Sequence, residues 1–428
     1  MKKTVLVLAS FLMITSMLFS QSNLVSYRKI ESLSKEDLNT MWKSNGIPKI
    51  ITKSKNEVDI YELIYITKFP DGTEVEASGV YYVPIGINQE LATIQYNHGT
   101  TMKNRKGDNY DYNGESTICK IYSADGYLVA WQDYIGLGKG KGFHPYQHLE
   151  TQGQSGADLL LACKQINKEL NIKTNNQLFI TGYSQGGHAT LSVHKVLQEK
   201  YADEFTVTAS SPMSGAHDMS GVQNEIMEIE YSQPHYLPYL LYGYQRMYQI
   251  LPSVEEFYKV FKPEYRHVLD KIIAKEHGVA DINAMLPKKP FEMISDSFFH
   301  VYKTDPTFNF TIALKQNNTY NWVPKAPVQF CYCKGDEEVY YKNSTKAIKW
   351  MRENGATDII DREVSDKLIT HHGCASYAAM FSKFFFDNKR KGKKNDVNGF
   401  KAMLVKIAVN VDEGKKKKAL KKAEKNKK

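Results

Sequence analysis

The chain has 428 residues, with 56 Lys and Arg against 47 Asp and Glu, a formal net charge of +9. Its 42% hydrophobic, 24% charged and 12% aromatic content is globular, which excludes collagen-like, low-complexity and mainly disordered chains. The positive charge sits at the ends: Lys415 to Lys428 holds nine Lys and one Glu, Lys2 and Lys3 add two more charges, and the body is left close to neutral. A nucleic-acid-binding body would need a basic face on the fold itself, so no nucleic-acid partner is implied.

Met1-Lys2-Lys3 precedes an apolar run from Val5 to Phe19 and then Ser20-Gln21-Ser22-Asn23. That order reads as a cleaved secretory signal over residues 1–20, with a secreted or periplasmic mature chain starting near Gln21. The run is interrupted by Ser10, Thr15 and Ser16 and is shorter than the roughly 20 apolar residues of a membrane span. No Cys sits at the cut, so a lipid-anchored Cys is not expected.

Strand-like runs then alternate with helical stretches. Val58 to Thr67 and Glu74 to Val83 flank the turn Pro70-Asp71-Gly72, and Leu91 to Tyr96 follows. A helix from Thr117 to Ala124 leads into a strand from Tyr127 to Trp131, and helix-spaced apolar residues run from Ala157 to Leu170. Further strands are expected at Gln177 to Thr181, Phe205 to Ala209, Ala326 to Cys331 and Asp358 to Val364, with helices at His188 to Lys200 and Ala375 to Phe386. This alternation predicts an α/β fold with a mostly parallel eight-stranded sheet and helices on both faces. Gly215 to Pro324 carries no convincing strand and reads as a helical insertion after the sixth strand. It divides a core of residues 21–214 and 325–390 and leaves a basic tail at 391–428. The stripe Tyr231, Tyr236, Tyr239, Tyr242, Tyr244 and Tyr248 either packs the insertion or lines an apolar pocket.

Four segments carry chemistry. Gly182-Tyr183-Ser184-Gln185-Gly186 is a G-x-S-x-G between a strand and a helix, a turn so tight that its neighbours must be Gly. It presents Ser184 as a nucleophile at a helix N-terminus, which favours developing negative charge. Gln95-Tyr96-Asn97-His98-Gly99-Thr100 ends the third strand, where a loop supplies an oxyanion N–H. Thr100 is the first choice and Gly99 the second, with Gln185 giving the other N–H, while His98 fixes the loop by hydrogen bonding. Lys334-Gly335-Asp336-Glu337-Glu338 ends the seventh strand, with Asp336 the expected acid and Glu337 and Glu338 its rivals. Thr370-His371-His372-Gly373-Cys374 follows the eighth strand, and a loop-borne His there suits a general base. The order Ser184, Asp336, then His371 or His372 is that of a Ser-acid-His triad. The acid and His loops of such a site lie side by side, which makes Cys333 and Cys374 a candidate disulfide among the five Cys.

With Ala130-Trp131-Gln132-Asp133-Tyr134 and His144-Pro145-Tyr146, these stretches resemble α/β-hydrolases of the secreted lipase/carboxylesterase type over about Val58 to Phe386. The resemblance implies a helical cap where Gly215 to Pro324 falls, a catalytic set of Ser184, Asp336 and His371, and an oxyanion hole from Thr100 and Gln185. A family pattern like H-x-x-C/A-A selects His371 over His372, which stays the alternative base. Ester hydrolysis through an acyl-enzyme follows, on a small-molecule or lipid ester and with no cofactor. A peptidase or amidase of the same fold, or a catalytically silent binding protein, are the alternatives. Gly136 to Gly142 lacks the G-K-[S/T] of a phosphate loop and reads as a flexible loop. His188 reads as a packing residue, and the scattered remaining His give no metal set. The Lys run reads as a solvated, disordered end, or else as a contact for an anionic surface.

Overall fold

In a computed structural model, the structure describes residues 23–426 apart from 50, 53, 105–108, 112–113, 276, 366–367 and 395. The signal-like stretch 1–20 lies outside the described residues. Nine strands form one sheet: β1 (Leu24–Leu33), β2 (Glu57–Lys68), β3 (Glu74–Ile85), β4 (Leu91–Asn97), β5 (Tyr127–Gln132), β6 (Thr174–Tyr183), β7 (Val207–Met213), β8 (Val328–Cys333) and β9 (Ile359–Ser365). Their order is β1-β2-β3-β5-β4-β6-β7-β8-β9. Strands β1, β2, β3 and β5 pair antiparallel, and every pair from β5 onward is parallel. The expected eight strands are therefore nine. The extra one, β1, is an edge strand whose residues are mostly exposed or half-exposed, so it carries little apolar signal.

The parallel strands are buried on both faces, as β5 and β8 are along their whole length. On one face, Leu63, Tyr65, Leu128 and Ile180 pack against α3 (Leu149–Glu169) and α4 (Gln185–Lys200). On the other, Ile60, Tyr82, Ile94, Trp131 and Phe179 pack against α1 (Lys35–Ser44), α2 (Ser116–Ala124), α13 (His371–Arg390) and α14 (Gly399–Asn426). Helix α12 (Lys342–Glu353) covers Val328, Phe330 and Tyr332 of β8. Cys331 and Cys333, two apart on β8, face the α13 side together.

Between β7 and β8 lie α5 (Val222–Glu225), α6 (Tyr236–Tyr248), α7 (Val254–Tyr258), α8 (Arg266–Ala274), α9 (Val279–Asn283), α10 (Asp296–Thr304) and α11 (Asn309–Gln316). They gather around their own apolar cluster, with Leu241, Phe261, Leu269 and Phe310, and meet the rest of the fold through Met102, Tyr146 and Val339, on loops past the ends of β4, β5 and β8. Three expectations need correction. The Gly136 to Gly142 segment is a close-packed turn, where a Cβ on Gly138 would lie 2.2 Å from Asp133 Oδ2. His371 begins α13 and is not on a loop. The basic tail is helical from Gly399, because Val405 and Val409 bury against the core and give the segment a face to fold on.

Candidate active site

Register brings the carboxyl ends of the parallel strands level: Asn97 opposes Gly182, Tyr183 opposes Met213, and Met213 opposes Cys331. Ligands of open α/β sheets bind outside these ends, and all four chemistry-bearing segments emerge there.

Ser184 stands between β6 and α4 with φ 60° and ψ −118°, a conformation that costs about 1–3 kcal/mol in a non-Gly residue. The surroundings enforce it. A Cβ on Gly186 would lie 1.9 Å from Asn97 O, and one on Gly187 would lie 2.5 Å from Met213 O. The Ser184 N–H donates to Met213 O at 3.0 Å, and α4 begins at Gln185, whose amide is among the first-turn N–H groups that lack intrahelical acceptors.

The three consecutive carboxylates divide their work. Asp336 accepts from His371 Nδ1–H at 2.9 and 2.8 Å through its two oxygens. It also receives the N–H groups of Glu338 and Val339, at 3.0 and 2.8 Å through Oδ1. Glu337 Oε2 accepts the His371 backbone N–H at 3.0 Å, which fixes the start of α13. Glu338 faces the other edge of the ring: its Oε2 is 3.8 Å from His371 Nε2 and its Oε1 is 3.2 Å from Nε2 of the exposed His372. Two insertion residues donate to the same carboxylate, Gln233 Nε2 and Tyr236 OH, each at 2.9 Å. Among the described residues no hydrogen bond joins His371 to Ser184 Oγ; such contacts commonly tighten only with substrate bound. Burial pulls the His371 pKa down, but the charge and hydrogen bond of Asp336, with Glu338 and Glu337, outweigh it and hold the imidazole above its ordinary value. Burial likewise opposes the Glu338 charge, yet the hydrogen bond from His372 and the charge of His371 bring its pKa down to about 2. The disulfide Cys333–Cys374, with Cα atoms 6.0 Å apart, ties the end of β8 to the first turn of α13.

On the opposite side, a Cβ on Gly99 would come 3.8 Å from Ser184 Cβ, so this loop passes Ser184 closely. The Gly99 N–H donates to Glu115 Oε1 at 2.9 Å, so the second-choice oxyanion donor is already engaged. Glu115 also accepts from Tyr96 OH at 2.7 Å, and burial pushes its pKa up to about 7 against these two hydrogen bonds. Thr100 Oγ1 and Tyr146 OH are 2.9 Å apart. The Gln185 side chain donates to His144 Nε2 at 2.9 Å, and His144 Nδ1 lies 3.0 Å from Ile135 O. Burial lowers the His144 pKa to about 3, so the ring is neutral and can accept through Nε2 while donating through Nδ1. His98 is buried, stacked on Trp131, and bonded to Gly99 O and Asp133 O, which fixes the loop. His188 is held between Gln152 and Asn317 O, a packing role. Glu115 carried no signal in the sequence, because its partners are 16 and 19 residues away. His144 and Tyr146 stood in a noted motif without a role.

Ser184 is 4% exposed and opens on a cavity of about 20 Å³, room for about one water, between Tyr146, Met219, Met227, Tyr236 and Leu240. Of the Tyr stripe, Tyr236 lines this space, Tyr239 and Tyr244 bond to the backbone of Thr101 and Gln147, and Tyr231 bonds to Glu338 O. A cavity of about 860 Å³ lies apart, at Phe69, Phe143, Tyr242, Arg246 and Lys275, and holds none of these chemical groups. Among the described residues no cluster of three or more His, Cys, Asp or Glu could hold a metal ion.

A mixed sheet with a strained Ser between strand and helix, and a His–Asp pair beyond the ends of neighbouring strands β8 and β9, defines an α/β-hydrolase of the lipase and esterase type. The chain belongs to the secretory lipase family, whose sequence pattern matches residues 113–389. It is similar to a presumed hydrolase from Legionella pneumophila, at 26% identity and TM-score 0.77, covering 88% of this chain and 100% of that one. In fold it is similar to the rice cell wall degrading esterase LipA from Xanthomonas oryzae, at 21% identity and TM-score 0.73, covering 85% and 95%. It is also similar in fold to Candida antarctica lipase A in its closed state, at 16% identity and TM-score 0.65, covering 88% and 84%. No curated protein matches by sequence. The chain is thus a hydrolase of the kind that acts on esters, and among its described residues no helix is long and apolar enough to cross a membrane.

Proposed function

We propose that this chain is a secreted serine esterase or lipase that works through an acyl-enzyme. Ser184 Oγ attacks the ester carbonyl while His371 Nε2 takes its proton, and Asp336 holds the ring in the tautomer that leaves Nε2 able to accept. The N–H groups of Thr100 and Gln185 receive the oxyanion. His371 then protonates the leaving alcohol, and water enters by the same steps to free the acid. The observation that carries this reading is His371 Nδ1 within 2.8 Å of Asp336 beside a Ser held in a strained strand–helix turn.

Secretion is supported by the signal-like residues 1–20 and by membership of a secretory family. The cavity at Ser184 has room for about one water, so substrate entry is expected to move the side chains that line it. The Met, Leu and Tyr side chains around the nucleophile favour an apolar acyl or alcohol group.

The test is a p-nitrophenyl ester series from acetate to palmitate on the purified chain beside Ser184→Ala. The wild type is expected to turn over, with the variant at the background rate. Wild-type inertness on every ester, or an active Ser184→Ala, sinks the reading; turnover of peptide p-nitroanilides instead would move it to an amidase.

A further inference from the structure

The C-terminal helix α14 carries two features that the hydrolase site does not use. Phe400, Met403, Ile407 and Val411 are 62%, 48%, 50% and 52% exposed, a concentration of large apolar side chains at solvent. Their spacing of three, four and four residues puts them on one helical face. Val405 and Val409, on the opposite side, bury in the core, so the exposed stripe is not the one that folds the helix. The same outer face continues through Lys418 and Lys422, at the next heptad and the next turn, within the run Lys415-Lys416-Lys417-Lys418 and Lys421-Lys422. One face is therefore apolar for its first three turns and cationic after that.

The helix is fixed to the body where its character changes. Asp412 accepts from Tyr377 OH, and Glu413 accepts from Ser365 Oγ. A Cβ on Gly373 would lie 3.6 Å from Lys416 Nζ, and Gly373 is two residues past His371. The Lys run thus starts beside the first turn of α13, the helix that His371 begins.

We propose that α14 docks this chain on an anionic lipid bilayer. Phe400, Met403, Ile407 and Val411 enter the boundary between headgroups and acyl chains, and the Lys417 to Lys422 segment holds anionic headgroups. An inserted apolar group and a polybasic cluster are two signals that together hold a chain on an anionic membrane. A soluble polyanion would satisfy the Lys residues and leave the stripe in water. A second copy of the chain would cover the stripe and leave the Lys run unanswered. Docking by this helix brings the first turn of α13, which His371 begins, close to a surface that presents lipid esters. The proposal deepens the esterase reading but is read by binding, so the two can fail separately.

The experiment is co-sedimentation of the purified full chain with phosphatidylcholine vesicles, with and without phosphatidylglycerol, at low and high salt. Binding to the anionic vesicles is expected, weaker by about tenfold or more on phosphatidylcholine alone and in high salt. Ile407→Ser with Val411→Ser is expected to weaken it about tenfold. The fourfold change of Lys417, Lys418, Lys421 and Lys422 to Gln is expected to do at least as much. Both variants should hydrolyse a soluble short-chain p-nitrophenyl ester at the wild-type rate, which shows that they are folded. Absence of binding to anionic vesicles at low salt overturns the proposal. So does undiminished binding by either variant, including the case where the stripe variant only turns a dimer into a monomer in analytical ultracentrifugation.

Discussion

At the Ser184 turn, glycines press against backbone oxygens, with no space for a Cβ at Gly182, Gly186 or Gly187. At His371, position is set by side chains: Asp336 on the ring, Glu337 on the backbone N–H, Glu338 near Nε2, and a disulfide under the first turn. Backbone packing leaves Ser184 one geometry and little dependence on solution conditions. A cluster of charges leaves His371 adjustable, so its basicity responds to pH, to single substitutions and, through Gln233 and Tyr236, to the position of the insertion.

The largest effect should come from forcing a side chain into the backbone-packed half. In Gly186→Ala the new Cβ would meet Asn97 O at 1.9 Å, so β4 and α4 must separate. We expect a loss of several kcal/mol, at or beyond the large end of single-substitution effects, on the order of 4–5 kcal/mol. Thermal unfolding and soluble yield check it; a wild-type melting temperature would show that the turn is not set by this contact.

Next is Asp336→Asn, which keeps the shape but offers an N–H to His371 Nδ1. The ring must then turn its N–H toward the substrate side, and kcat should fall on the order of 10⁴-fold with little change in KM. Steady-state kinetics on a p-nitrophenyl ester decides it, and a fall below about tenfold would move the acid role to Glu337 or Glu338.

The backbone-packed half was the more legible one. The run of strands along the chain and the G-x-S-x-G follow from local patterns of small residues and alternation, and local patterns are what a sequence displays, whereas His371 is set apart from His372 only by a family resemblance. Three things were not legible, each for a physical reason. Strand β1 pairs by backbone along an exposed edge, so its side chains need not be apolar. Helix α14 folds because Val405 and Val409 find a core built by distant segments, while its Lys content by itself favours a solvated chain. Glu115 and Glu338 act through partners 16 to 105 residues away, which only the folded chain brings together.

The disulfide is the next smaller effect. It closes a separation of 41 residues, and replacing both Cys333 and Cys374 by Ser should cost about 2–4 kcal/mol of stability. Activity at low temperature should largely remain, because Glu337 and Asp336 still hold the start of α13. Unfolding in guanidinium measures the first and turnover the second; an unchanged midpoint would mean that the carboxylates alone fix this half.

The finest test removes one charge without removing a shape. Glu338 keeps its negative charge down to about pH 2, and that charge contributes to raising the His371 pKa. A general base works only when neutral, so activity in the wild type should fall on acidification at a pH above that of an ordinary imidazole. In Glu338→Gln the ring loses a nearby anion, the imidazolium is less favoured, and the acid limb of kcat/KM should move to lower pH. A shift on the order of half to one pH unit is expected for one buried charge removed, with kcat at the plateau changed by less than about tenfold. His372→Ala is the control: it takes a donor from the same carboxylate but leaves the anion in place, so its acid limb should stay near that of the wild type. A limb that stays fixed in Glu338→Gln, or that moves equally in both variants, would show that Asp336 alone sets the strength of the base and that Glu338 serves only to fasten the insertion.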